Sequence, residues 1–150
     1  MPTVHAAART DAGLASELRT SVMRLRRRLA GERHPDNDLS LGSMAVLGWL
    51  FRNPDGLTLG QLARAEKVQP PSMTRTVSAL EADGYVTRRA HETDGRQMII
   101  ALSEQGRATV LADRTRRDAW LARRLAELTP EERHVLRAAA PLLDRLSQAD

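Results

Sequence analysis

At 150 residues the chain has the length of one domain or one compact subunit, enough to bury roughly 70% of its unfolded surface without covalent staples. It contains no cysteine, which excludes disulfides, thiolate metal sites and thiol-based redox sensing. No apolar run approaches the ~20 residues of a membrane span, and Met1–Thr10 lacks the apolar block of a signal peptide, so a soluble cytoplasmic protein is expected. The net charge is +4, and Lys67 is the one lysine among 23 basic residues; that balance suits a polyanionic partner, although an Arg-rich composition equally reflects a GC-rich genome.

Residues 1–11 lack periodicity and are expected to be frayed. Leu14, Leu18, Val22, Leu25 and Leu29 then recur at helical spacing, forming one apolar stripe on a helix of about five turns. Arg19, Arg24, Arg26, Arg27 and Arg28 occupy its other faces, and Gly31 and Pro35 mark its end. A second helix is predicted over 40–52, with Met44, Leu47, Leu50 and Phe51 as its core face. Asn53-Pro-Asp-Gly56 is a turn signal. Thr58-Leu-Gly-Gln61 reads as a capping box opening a helix over 59–66, with Leu59, Leu62 and Ala63 inward. In Val68-Gln-Pro-Pro71, Pro71 is expected to hold Pro70 extended and to take the first helical position itself. The helix predicted over 71–83 buries Met73, Val77 and Leu80, and Gly84 closes it in the left-handed conformation.

The period then shifts from 3.6 to about 2. Tyr85–Ala90 and Gln97–Leu102 read as paired strands, with Asp94-Gly95 as the hairpin turn. Ser103 caps a long helix reaching about Glu127. Thr129-Pro-Glu-Glu132 is a second capping box, with Pro130 at the first helical position. It opens a last helix whose apolar positions are Val135, Leu136, Leu142, Leu143 and Leu146. Pro141 lies inside that pattern and is expected to kink it.

The expected fold class is mainly α with a small β-wing. The region 40–102 is a winged helix-turn-helix, flanked by long helices over 12–36 and 103–150. The second helix of the motif buries one face and presents Pro71, Ser72, Thr74, Arg75, Thr76, Ser78 and Ala79 on the other. Small and hydrogen-bonding side chains suit a helix that enters a major groove, because bulky apolar groups would hold it off the base edges. Arg88 and Arg89 lie on the first wing strand and point to opposite faces. One is expected to face DNA, the other to pair with Asp94 or Glu92. Arg96, beyond the turn, is placed to enter a minor groove, with Asp94 pairing an arginine to hold its rotamer. The four aromatics, Trp49, Phe51, Tyr85 and Trp120, are too few to stack single-stranded bases, which favours duplex DNA.

Ser72-Met-Thr-Arg75, Leu80-Glu-Ala-Asp-Gly84-Tyr-Val86, Arg88-Arg89 and Asp94-Gly-Arg96 together resemble the signature of the MarR (multiple antibiotic resistance regulator) family, over about residues 12–147. The resemblance implies an obligate homodimer joined through its N- and C-terminal helices. It implies a repressor of a pseudo-palindromic operator, with helix 71–83 in the major groove and Arg96 in the minor groove. It also implies release by a small, often phenolic, ligand. A dimer has an independent argument: the stripes Leu14–Leu29 and Leu136–Leu146 lie outside the winged-helix core, and a second copy can cover them.

Bland readings stand beside these. Arg75 and Arg96 can be solvated surface arginines, and the arginines at 24–28 a solvated helix face. His5, His34, His91 and His134 show no metal-ligand spacing, and no cofactor or metal is expected, the weak exception being His34 beside Asp36 and Asp38. Trp49, Phe51 and His34 are candidates for a pocket taking a small aromatic effector, and core packing explains the two aromatics equally well. An enzyme lacks its parts: there is no phosphate-cradling glycine loop, no nucleophile elbow and no close His–acid pair. The remaining alternative is a winged-helix module that binds a ligand or protein but no DNA.

Overall fold

The structure, a computed structural model, describes residues 10–149; the expectation of a frayed start over residues 1–11 lies outside them for 1–9 and is corrected at Thr10 and Asp11, which are the cap and first residue of the first helix. Six helices and three short strands follow one another as α1 (Asp11–Ala30), α2 (Leu41–Arg52), β1 (Leu57–Thr58), α3 (Leu59–Glu66), α4 (Pro70–Ala82), β2 (Val86–Ala90), β3 (Met98–Leu102), α5 (Glu104–Ala126) and α6 (Pro130–Ser147). No helix among the described residues is long and apolar enough to cross a membrane.

The helix ends follow from local chemistry. Thr10 and Ser40 accept from the third N–H of α1 and α2. Thr58–Gln61 and Thr129–Glu132 form both arms of their capping boxes. Ser103 Oγ accepts from Gly106 N–H at the head of α5 (3.0 Å). Gly84 adopts φ +84°, as its place after α4 requires.

The chain forms two compact units. One, Arg33–Thr115, holds α2 to β3 and the first half of α5. Its core joins Val46, Leu47 and Leu50 of α2, Leu62 and Ala63 of α3, Met73, Val77 and Leu80 of α4, Val86 of β2, Ile100 of β3 and Val110 of α5. Each fully buried aliphatic side chain there contributes about 1.5–3 kcal/mol. The sheet order is β1-β3-β2, antiparallel throughout, with Leu57 opposite Ile100 and Val86 opposite Leu102. Gly106 lets α5 pass close against the start of the wing: a Cβ there would stand 2.1 Å from the Tyr85 carbonyl oxygen.

The other unit holds α1 and the chain from Arg116 onward. Arg28 pairs with Glu32 (2.7 Å) and lies over the Trp120 ring (4.7 Å to the centroid). Arg133 caps the end of α5 by donating to the Leu125 and Leu128 carbonyls. Neither α1 nor α6 has a buried residue.

Three expectations need correction. Pro70 is not held extended; both prolines lie in the first turn of α4, and Gln69 is the extended cap. The first-turn positions need no N–H, and this outweighs the steric bias on a residue preceding proline. A third strand, Leu57–Thr58, joins the hairpin; two residues are too short to show alternation. Asp94-Gly95 is not a two-residue hairpin turn. The strands stop at Ala90 and Met98, and the chain between them closes through His91 N–H to Gln97 O and Gln97 N–H to Asp94 O. Gly95 is not among the residues with positive φ, so the left-handed pair of a tight hairpin is absent. Pro141 lies inside α6, as its place in the apolar pattern implied, and the helix runs on to Ser147.

Candidate nucleic-acid interface

Met73, Val77 and Leu80 are each buried to 3% exposure or less, which fixes the rotation of α4 about its axis. Pro71, Ser72, Thr74, Arg75 and Ser78 are consequently exposed on the opposite side, and Thr76 is half-buried. Two hydroxyls on this face have committed their protons: Thr74 Oγ1 donates to Pro70 O (3.0 Å) and Thr76 Oγ1 to Ser72 O (3.1 Å). Outward they offer lone pairs and methyl groups, the complement of a base amino group or a thymine methyl and not of a phosphate oxygen. Arg75 is exposed, and its side chain makes no ion pair among the described residues.

The wing separates its arginines into two kinds. Arg88 Nε reaches Glu81 Oε2 on α4 (3.3 Å), and Arg89 donates to the backbone oxygen of Asp55 in the turn after α2 (2.8 Å). Neither pairs with Asp94 or Glu92, as had been expected. Arg88 is carried back toward α4 and Arg89 toward the turn after α2, while those two acids lie in the loop beyond the strand's end. Arg96 is exposed and, like Arg75, has no ion pair among the described residues. Asp94 does not hold the Arg96 guanidinium; its Oδ1 accepts the Arg96 backbone N–H (3.1 Å). An acceptor two residues from a donor closes an Asx turn more readily than it reaches a long side chain. His91 Nδ1 accepts the backbone N–H groups of Thr93 and Asp94 (3.2 Å each), so the loop is held from both ends.

Residues outside the expected set also shape this face. A groove of about 450 Å³ runs between α3 and the wing, lined by Gln61, Arg64, His91, Arg96 and Gln97 among others. Arg64 was missed because α3 reads in sequence only as a short packing helix, and nothing local brings it beside the wing.

A smaller cavity of about 260 Å³ is lined by His34, Asn37, Tyr85, Gln105 and Thr109 among others. Trp49 and Phe51 do not line it. Trp49 Nε1 donates to Glu66 Oε1 (2.6 Å), and Phe51 has Arg107 and Arg114 over its ring at 5.2 and 4.2 Å. Beside the cavity, buried Asp113 on α5 accepts His34 N–H (2.9 Å) and Asn37 Nδ2–H (2.7 Å), with Arg33 Nε at 4.0 Å. No group of three or more metal-ligating side chains occurs among the described residues.

Residues 37–97 match the family model described as MarR family. The chain is 46% identical over 134 residues to Mb0904, an uncharacterized HTH-type transcriptional regulator of Mycobacterium bovis, covering 89% of this chain and 92% of that one. It is 35% identical over 100 residues to Mb2911, an HTH-type transcriptional repressor of the same organism, covering 66% of this chain and 71% of that one. Among solved structures, a Pseudomonas aeruginosa PA01 protein assigned as a transcriptional regulator superposes with a TM-score of 0.82 at 33% identity, covering 93% of this chain and 96% of that one. With a winged helix-turn-helix whose second helix is polar outward and apolar inward, and with relatives matched over most of both chains, this chain belongs to the MarR family of DNA-binding transcriptional regulators.

Proposed function

We propose that the chain acts as a homodimeric repressor of a pseudo-palindromic operator in double-stranded DNA, working in the cytoplasm by binding and not by catalysis. The observation that carries this reading is the outward face of α4, which offers acceptors, methyl groups and the exposed Arg75 over a rigidly buried inner face. That face enters the major groove, with Pro71, Ser72, Thr74, Arg75, Thr76 and Ser78 at or near base edges and phosphates. Arg96 enters the adjacent minor groove. Asp94 shapes the loop that presents it. Arg88 sets the position of the wing, and Arg89 does the same while remaining exposed enough to meet the DNA backbone.

The dimer is supported by α1 and α6, where Leu14, Val22 and Leu25 are 44–48% exposed and Leu136, Leu142 and Leu146 47–66% exposed. Apolar stripes of this length are covered by a second copy in a two-fold assembly, which also presents two α4 helices to half-sites about one helical turn apart. Repression is supported by the similarity to Mb2911, a repressor by name. The cavity beside His34 and Tyr85 has room for a small aromatic effector, whose binding would release the DNA.

Selection of bound duplexes from a random pool tests this reading. An enriched inverted repeat is expected, bound by a dimer. Binding with no preference for any duplex over heparin, or a monomer at working concentration, overturns it.

A further inference from the structure

The groove between α3 and the wing is chemically one-sided. Among the described residues its lining contains no aspartate or glutamate. It brings together Arg64 of α3 and Arg96 of the wing loop, both exposed and neither in an ion pair among the described residues. The polar side chains between them also present donors. Gln61 spends its amide oxygen on Thr58 N–H (2.9 Å), which leaves its NH2 group to face outward chemistry. His91 uses Nδ1 to accept the Thr93 and Asp94 N–H groups, so the neutral ring carries its proton on Nε2. The Arg64 guanidinium folds back over the first turn of its own helix, where its Nη1 lies 3.7 Å from the position of a Cβ on Gly60. A cation over the positive end of a helix is repelled by the peptide dipoles and gains when an anion sits between them.

From this we infer that the groove seats one phosphodiester of the operator backbone, with Arg64 as its principal ligand. The inference rests on the proposed DNA-binding reading and extends the contact surface from α4 and the wing tip to α3. It fits the topology of that reading: with α4 in the major groove and Arg96 in the adjacent minor groove, the strand that separates the two grooves passes between the wing and the helices.

The test uses the full-length protein and its selected operator. Arg64→Ala weakens the operator and a random duplex by the same factor, about tenfold per half-site, the size expected for one charge-assisted contact. The slope of log K against log salt becomes shallower by about 1 for each site lost. Arg64→Lys restores part of both. Replacing backbone phosphates one at a time by neutral methylphosphonate identifies one position per half-site that weakens the wild type and leaves Arg64→Ala unaffected. Unchanged affinity and slope in Arg64→Ala, with wild-type operator binding intact, overturn the groove while leaving the DNA-binding reading standing. A change of base preference instead of a uniform loss also overturns it. Inorganic phosphate that binds the wild type but not Arg64→Ala by calorimetry, while leaving operator affinity unchanged at constant ionic strength, assigns the groove to a free anion and rejects the backbone. A wild type that binds no duplex removes both readings.

Discussion

Arg88 on β2 and Glu81 on α4 meet through Arg88 Nε and Glu81 Oε2 at 3.3 Å, so the wing is tied directly to the helix that carries Ser72 to Ser78. Both side chains are partly exposed, at 23% and 42%, and such a pair adds little to stability. Its consequence is geometric. Arg88→Glu and Glu81→Arg singly are expected to weaken operator binding with little change in Tm, and the double exchange to recover most of the loss. A binding titration of the four proteins as a double-mutant cycle reads this; additive losses would show that the two residues act separately.

Asp113 is fully buried and holds the segment between α1 and α2 through His34 N–H and Asn37 Nδ2–H. Asp113→Ala leaves both donors without their acceptor, each costing about 1–3 kcal/mol. Asp113→Asn keeps one acceptor oxygen and is expected to lose less. Urea unfolding at fixed protein concentration measures the difference.

Lys67, the residue that turns the chain from α3 toward α4, has φ +54° and ψ +44° and is the non-glycine residue with positive φ among the described residues. A side chain there costs about 1 kcal/mol relative to glycine. Lys67→Gly is expected to raise stability by about that amount, less the entropy that glycine adds to the unfolded chain. Thermal unfolding would reveal no gain if the turn were relaxed.

Arg75 and Arg96 are assigned different reading modes, and their variants should differ in kind. Arg75→Ala is expected to cost about 1–3 kcal/mol on the operator and to relax base preference at one position in each half-site. Arg96→Ala is expected to penalise operators with narrow A·T flanks more than others. Equal weakening on every flank would make Arg96 a phosphate contact.

Leu142 and Leu146 are 51% and 66% exposed on α6. Leu142→Glu with Leu146→Glu should shift the protein from dimer to monomer by sedimentation while its helical circular dichroism persists, because neither side chain belongs to the buried core. A dimer that survives the double change would place the subunit contact elsewhere.

How much of this was legible in the chain differs from element to element. The capping boxes at Thr58 and Thr129, the inward faces of α3 and α4 and the left-handed Gly84 could all be read directly, because each depends on residues no more than a few positions apart. The outward set Ser72, Thr74, Arg75, Thr76 and Ser78 followed from the same periodicity, since burying Met73, Val77 and Leu80 leaves only one side of a helix to face away.

Contacts across the fold were decided by tertiary structure. Whether Arg88 would meet Glu81, Asp94 or Glu92 depends on how β2 approaches α4, and residue spacing carries no information about that approach. The same holds for Arg64 beside Arg96, for Asp113 holding His34 and Asn37, and for Leu57–Thr58 joining the sheet. Amino-acid order by itself set helix ends and faces, through hydrogen bonds and periods spanning one or two turns. Which charges were neutralised within the subunit and which were left for a partner required long-range packing, because an ion pair forms where the backbone brings two side chains within reach, whatever their separation along the chain.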